Sequence, residues 1–350
     1  MRSVLYLYLS LFFIFLIISL GLGYATLNRF DPVLFQGLSD AVAYADIVRN
    51  GPGSSLTEDR LGLSTRLLVP SLAHLIYIIL PSIGTWNTVS LSMLLVNSIF
   101  TALSVVLIFD ITYRFFHDSN IALIAGFLFV TNFFITNFYL VGMVEAGYGF
   151  FFLILYYALV TDKWLLLPFI MVFGCLTKEV FLVLASAFVL FTLIQQSVSY
   201  RHVPLSKVAL FILMMVSGAV TIVALNYLVY GSLLLPTAEL SSSGRNMKLP
   251  NFNFGSFLMR LGEELIRFSF TLGLLLFIGL FSVRKLPLWF LVGNLGVIFI
   301  VLSLMAFMFL GGNTTLSGAD FARFIYAPGA LLFCSGSAMT INNLTTKLNK

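Results

Sequence analysis

Long apolar runs alternate with short polar turns along almost the whole chain. The longest cover Val4–Ala25, Asn87–Phe109, Ile121–Val141, Val208–Val229, Leu265–Phe281, Leu286–Leu310 and Phe324–Met339. A hydrocarbon core of about 30 Å takes roughly 20 helical residues, so each run is long enough, or nearly so, to cross it. Gly147–Val160, Trp164–Leu176 and Val180–Ile194 are shorter and are read as further spans. The first two of these cross as a pair around Thr161-Asp162-Lys163, or both stay re-entrant; either choice leaves Lys178 and Glu179 on the same face. The pattern predicts an all-α integral membrane protein of about ten transmembrane helices, one polytopic domain over residues 1–350. The first run is too long for a cleaved signal-peptide core and is expected to remain as an anchor.

Two loops interrupt the alternation. Residues 26–82 form a long first external loop in which Ser39–Val48 reads as a short helix, with Ser39 as its cap and Gly51 as its stop. Arg66–Leu80 reads as an interfacial helix, with Arg66 and His74 on its wet side and Pro81 ending it. Residues 230–264 form a second external loop rich in Ser, Gly, Asn and Pro, with helix resuming near Phe257–Arg267.

Composition narrows the class. With 60% of residues hydrophobic and 9% charged, no soluble domain of useful size remains. The net charge of +5 sits in loop lysines and arginines. No basic patch interleaved with aromatics lies outside the apolar runs, so nucleic acid is not an expected partner. Cys175 and Cys334 lie inside apolar runs as small buried residues, and His74, His117 and His202 lack metal-ligand spacing.

Charge also sets a direction. With Arg2 inside, the cytoplasmic turns carry Arg114, Lys163, Arg201, Lys207, Arg284, Lys285, Lys347 and Lys350, as the positive-inside tendency expects. Eleven of the fourteen acids then fall outside, and only Asp110, Asp118 and Asp162 remain inside, where they are expected to be solvated. Acids gathered on one face suggest a site that opens there.

Five segments bring candidate chemistry to that face. Asp40 and Tyr44 share one side of the first loop helix, one turn apart. Arg66 stands at the mouth of the next apolar segment, where the alternative is a snorkelling interfacial side chain. Glu145 ends a span among small and apolar residues, a costly place for a carboxylate unless it is paired or wet. The alternative for Glu145 is a structural partner of an outer arginine. Lys178-Glu179 is either functional or a local charge pair ending a helix. Arg323 opens the last apolar run.

Three stretches carry a resemblance. Gly37-Leu38-Ser39-Asp40-Ala41-Val42-Ala43-Tyr44-Ala45, with Thr65-Arg66-Leu67-Leu68-Val69-Pro70-Ser71-Leu72-Ala73, resembles the first external loop of GT-C-type membrane glycosyltransferases. Leu176-Thr177-Lys178-Glu179 and Asp320-Phe321-Ala322-Arg323-Phe324-Ile325-Tyr326-Ala327-Pro328 are similar to segments before a central span and at the last helix of bacterial relatives. The resemblance implies a GT-C-like fold and transfer of a sugar from a polyprenyl-phosphate donor to a glycan, lipid or protein acceptor. It implies work on the extracytoplasmic face of a membrane such as the bacterial inner membrane, among membrane lipids. It puts Asp40 in the role of general base, and Glu145, a candidate on its position alone, is the next to test. Arg66, Lys178 and Arg323 would draw the leaving phosphate, with Tyr44 and Glu179 in support. Ala41 stands where many relatives have a second acid and no Asp-x-Asp pair occurs, so no metal or other cofactor is assigned. A divalent cation would need Asp40, Asp46 and Glu145 to converge.

The expectation is one outer cavity lined by Asp40, Glu145, Lys178 and Arg323. A transporter or flippase of a lipid-linked or anionic substrate is the alternative class, and it should show inverted repeats and broken helices with ionisable groups near the membrane midplane. A non-catalytic scaffold with the same fold is the third reading.

Overall fold

The computed structural model describes residues 2–25, 39–52, 65–80, 87–132, 135–140, 142–200, 204–230, 259, 262, 278–279, 281–310 and 319–348. Among these residues the elements are all helical. The expected span Leu265–Phe281 and the second long loop fall almost wholly outside them, as does the helix expected near Phe257–Arg267. The helices are α1 (Arg2–Tyr24), α2 (Ser39–Asn50), α3 (Leu68–Ile79), α4 (Thr88–Phe116), α5 (Ser119–Val130), α6 (Glu145–Val160), α7 (Leu167–Thr177), α8 (Val180–Tyr200), α9 (Leu205–Tyr230), α10 (Leu288–Leu310) and α11 (Ala319–Leu348). Leu5–Tyr24, Thr88–Phe116, Val180–Ser199 and Leu205–Val229 are long and apolar enough to cross a membrane. Shorter apolar helices, among them α3, α5 and α6, pack beside them. The chain is a helical membrane protein.

Helix α4 is the central post, with 72% of its apolar window buried against 17% for α1 and 22% for α9. Its start is fixed by Asn87, whose side chain accepts from the backbone N–H of Val89 at 3.0 Å and Ser90 at 3.4 Å. It runs two turns past Phe109, the expected end, because the polar residues there are paired. Asp110 accepts from the Tyr8 hydroxyl of α1 and, at 2.6 Å, from Arg114 Nε. Asp110 is therefore buried, contrary to the expected solvation. Asp118 caps α5 through Asn120 N–H at 2.8 Å.

The expected span Ile121–Val141 is broken. Helix α5 stops at Val130, where Thr131 turns its hydroxyl back onto the Phe127 carbonyl at 2.8 Å. A π-helical turn over Ile135–Tyr139 follows, closed by Leu140 N–H on the Ile135 carbonyl. Gly142, at φ +64°, then takes the chain through a left-handed bend into α6.

The antiparallel pairs α4–α5 and α6–α7 have their turns at the same end. Arg114 lies 5.6 Å and Lys163 5.8 Å from the Tyr157 ring. At the other end Asn97 Nδ2 of α4 donates to the Met143 carbonyl just before α6, at 2.9 Å. Packing between helices relies on close approach at small residues, as expected where lipid removes the hydrophobic drive for association. Gly218 of α9 meets Leu182 and Met171, and Gly174 of α7 lies against the Phe181 ring of α8.

A Cβ on Gly174 would overlap Phe181, whereas one on Gly21 of α1 meets nothing within 4 Å. Gly174→Ala should therefore cost roughly 1–3 kcal/mol of stability, as overpacking does. Gly21→Ala should leave the unfolding midpoint unchanged or slightly raised. Equal midpoints for the two variants in one detergent would contradict the α7–α8 contact.

Candidate functional site

The corner between α7 and α8 organises the site. Thr177 ends α7 by turning its hydroxyl onto the Gly174 carbonyl at 2.5 Å, and Lys178 is extended at φ −163°, ψ 125°. Lys178 meets Glu145 inside the bundle and Glu179 meets Arg66, so each has a salt-bridge partner other than its neighbour, although the Lys178 charge still helps to lower the Glu179 carboxyl.

Lys178 Nζ donates to Glu145 Oε1 at 3.1 Å, with side-chain exposures of 4% and 1%. Glu145 is the first residue of α6, where the helix N-terminus favours a carboxylate. The ammonium also lies 5.5 Å from the centre of the Tyr148 ring. Glu145 and Tyr148 are three residues apart on one helix, so one face supplies both the counter-charge and the aromatic ring. Tyr148 in turn meets Phe152 at 5.1 Å and Phe181 at 6.1 Å. Truncating one partner of such a buried pair generally costs about 3–5 kcal/mol.

Glu179 reaches the first loop. Arg66 grips it side-on, Nε to Oε2 at 2.9 Å and Nη2 to Oε1 at 2.6 Å, while Nη1 donates to the Tyr44 hydroxyl at 3.0 Å. Three segments far apart in sequence are thereby tied: α2 through Tyr44, the entry to α3 through Arg66, and the α7–α8 corner. Arg66 has 12% of its side chain exposed, so it is not the wet-side interfacial residue expected. His74 is part-buried on the side of α3 that faces α2. Its Nδ1 bonds the Val48 carbonyl at 2.8 Å, and its ring covers Gly51, whose φ of +86° ends α2 as expected.

Electrostatics hold this outer pair charged. Burial works against the Arg66 charge, but Tyr44 and Glu179 together keep its guanidinium well above the ordinary range. Burial likewise raises the Glu179 carboxyl, and the charge and hydrogen bonds of Arg66 outweigh it, leaving Glu179 below its usual value.

Five of the seven expected site residues are therefore brought together: Tyr44, Arg66, Glu145, Lys178 and Glu179. The side chains of Asp40 and Arg323 lie outside the described residues. Their backbones lie in helices, Asp40 one turn before Tyr44 on α2 and Arg323 one turn before Tyr326 on α11. Tyr326 stacks on Phe129 at 6.2 Å and meets Tyr139 edge-on at 5.7 Å. The Tyr139 hydroxyl crowds Gly149, one turn after Glu145. Convergence of acids on a cation is not seen for two of the three carboxylates proposed for it. Asp46 pairs with Arg49 at 3.8 Å and Glu145 with Lys178. Among the described residues no group of three or more potential metal ligands occurs.

Glu179 also sets a pH dependence. Its lowered value means the Arg66 pair is fully formed above its ordinary value of 4.5 and is lost as pH falls through the folded value. With 36% of the Glu179 side chain exposed, solvent screening limits the contribution to about 1 kcal/mol. Glu179→Gln should lower the unfolding midpoint at neutral pH, and its deficit against wild type should close as pH falls below the ordinary carboxylate value. A deficit that is constant with pH would remove the charge from the explanation.

No protein-family model matches the chain, and no curated protein or solved structure was found to match it.

Proposed function

We propose that the protein is a GT-C-like membrane glycosyltransferase with about ten spans, moving a sugar from a polyprenyl-phosphate donor to an acceptor at the membrane surface. The observation that supports this reading is the convergence of Tyr44, Arg66, Glu145, Lys178 and Glu179, from four separate segments, at one end of the bundle. In this reading Asp40 is the base. An acceptor hydroxyl oxygen attacks the anomeric carbon, Asp40 takes its proton, and the bond to the phosphate oxygen breaks to release polyprenyl phosphate. Tyr44, Arg66 and Glu179 hold the helix that carries Asp40 against the α7–α8 corner. Lys178, neutralised by Glu145, fixes the α7–α8 corner, and Arg323 meets the leaving phosphate directly. Glu145 is then a positioning residue, because its carboxylate already serves Lys178.

The buried Lys178–Glu145 pair lies at the start of α6 and just after the end of α7, not mid-helix, which supports an enzyme over a transporter, whereas the break after Val130 is a feature a transporter would share. The scaffold reading draws on the same pairs, because both described cations already hold internal carboxylates.

Transfer assays with purified protein and a panel of polyprenyl-phosphate sugars separate these readings. Asp40→Asn should abolish turnover with donor binding nearly intact, since the amide keeps the shape and cannot take a proton. Arg323→Ala should weaken donor binding by roughly tenfold or more, and less so at high salt. Turnover of Asp40→Asn within about tenfold of wild type, a barrier change near 1.4 kcal/mol, would remove Asp40 from the base role. A wild-type protein that binds no such lipid would favour the scaffold.

A further inference from the structure

The opposite end of the bundle carries a second polar constellation that the proposed chemistry does not use. A hollow of about 580 Å³ opens between the α6–α7 turn and the start of α9, lined by Asp162, Lys163, Trp164, Ser206, Lys207 and neighbouring leucines. Asp162 sits in the left-handed region of the turn at φ 55°. There it accepts from Lys207 Nζ at 2.7 Å and from the Trp164 indole N–H at 2.9 Å. The same ammonium lies 4.9 Å from the centre of the Trp164 ring. Lys207 is therefore held at the rim by an anion and an aromatic face together, and the carboxylate occupies one of its three N–H donors.

Two lysines against one aspartate leave the hollow with one net positive charge. Its surroundings are apolar and open: Leu165 is 73% exposed, Phe169 66% and Leu205 87%. On a protein whose helices cross a membrane, such side chains belong among acyl chains, with a tryptophan and lysines at headgroup depth.

We propose that this hollow binds the phosphate of an anionic membrane lipid. Lys163, Lys207 and the Ser206 hydroxyl take the phosphodiester, and Leu165, Phe169 and Leu205 lie along the chains. A singly charged phosphodiester matches the net charge of the hollow. A soluble phosphate has the same head chemistry, but it leaves the exposed leucines and phenylalanine uncovered, which is why the lipid is favoured. The inference is independent of the site around Lys178, because Glu145 and the Asp162 turn lie at opposite ends of α6.

The test uses the full chain purified in neutral detergent, with lipid binding read by native mass spectrometry and by the unfolding midpoint. Phosphatidylglycerol should bind at least about tenfold more tightly than phosphatidylcholine, whose phosphate is matched by its own cation. The double variant Lys163→Gln/Lys207→Gln should lose roughly that tenfold. The double variant Lys163→Arg/Lys207→Arg keeps the charge and should keep the preference, which guards against a simple folding defect. Equal binding of the two lipids, or wild-type affinity in the glutamine variant, would overturn the proposal. Equal stabilisation by glycerophosphoglycerol, the headgroup without chains, would overturn the lipid assignment in favour of a soluble phosphodiester.

Discussion

A lysine and a glutamate withdrawn almost completely from solvent set the terms for the rest of the molecule. Neither Lys178 nor Glu145 tolerates burial alone, so the corner after α7 must meet the start of α6. That meeting fixes where the next residue points. Glu179, in the turn that follows, becomes the anchor for Arg66, and Arg66 holds Tyr44 and with it α2. The loop helices are thus positioned by a chain of charges that starts inside the bundle. Each link is a charge-assisted bond with defined geometry, which gives the arrangement more specificity than apolar packing alone would.

The two ends of the bundle use this chemistry differently. At the Glu145 end the charges are enclosed and paired inward, which builds a rigid wall. At the Asp162 end they are partly open, and Lys207 is shared between a carboxylate and an indole face. A third network, Tyr8 with Asp110 and Arg114, pins α1 to the foot of α4 and adds to the packing of Leu11 and Phe15 in the core. Enclosed charge suits positioning and open charge suits binding, and the proposed roles follow that division.

Much of the helix pattern was legible in the sequence, because an apolar run of sufficient length has few other stable forms in lipid. Helix ends were less so. A hydropathy reading stops at Asp110, yet α4 continues to Phe116, since Asp110 and Arg114 pair one turn apart and Tyr8 covers them. Helix α8 continues past Ile194 through Gln195, whose side chain bonds Ser199 at 2.9 Å. The break after Val130 had a signal, the polar Thr131-Asn132 in an apolar run, but not one strong enough to outvote its length. At the site, the individual residues stood out because ionisable side chains are rare in such a chain. Their partners did not, since Arg66 and Glu179 are 113 positions apart and only the fold decides that they meet. Tyr148 went unnoticed as one phenol among fourteen tyrosines, although its spacing of three from Glu145 placed it on the same helix face.

The central claim is that the Lys178–Glu145 contact is a mutually dependent buried pair, and a double-mutant cycle measures that dependence directly. Equilibrium unfolding in mixed micelles of Glu145→Gln, Lys178→Met and the combined variant gives the coupling energy. Each single change should cost about 3–5 kcal/mol, because it strands the other charge. The double variant should recover most of one loss, giving a coupling of roughly 2–3 kcal/mol. Strictly additive losses would show that each charge has its own support, and the order in which the corner, Arg66 and α2 depend on this pair would be wrong.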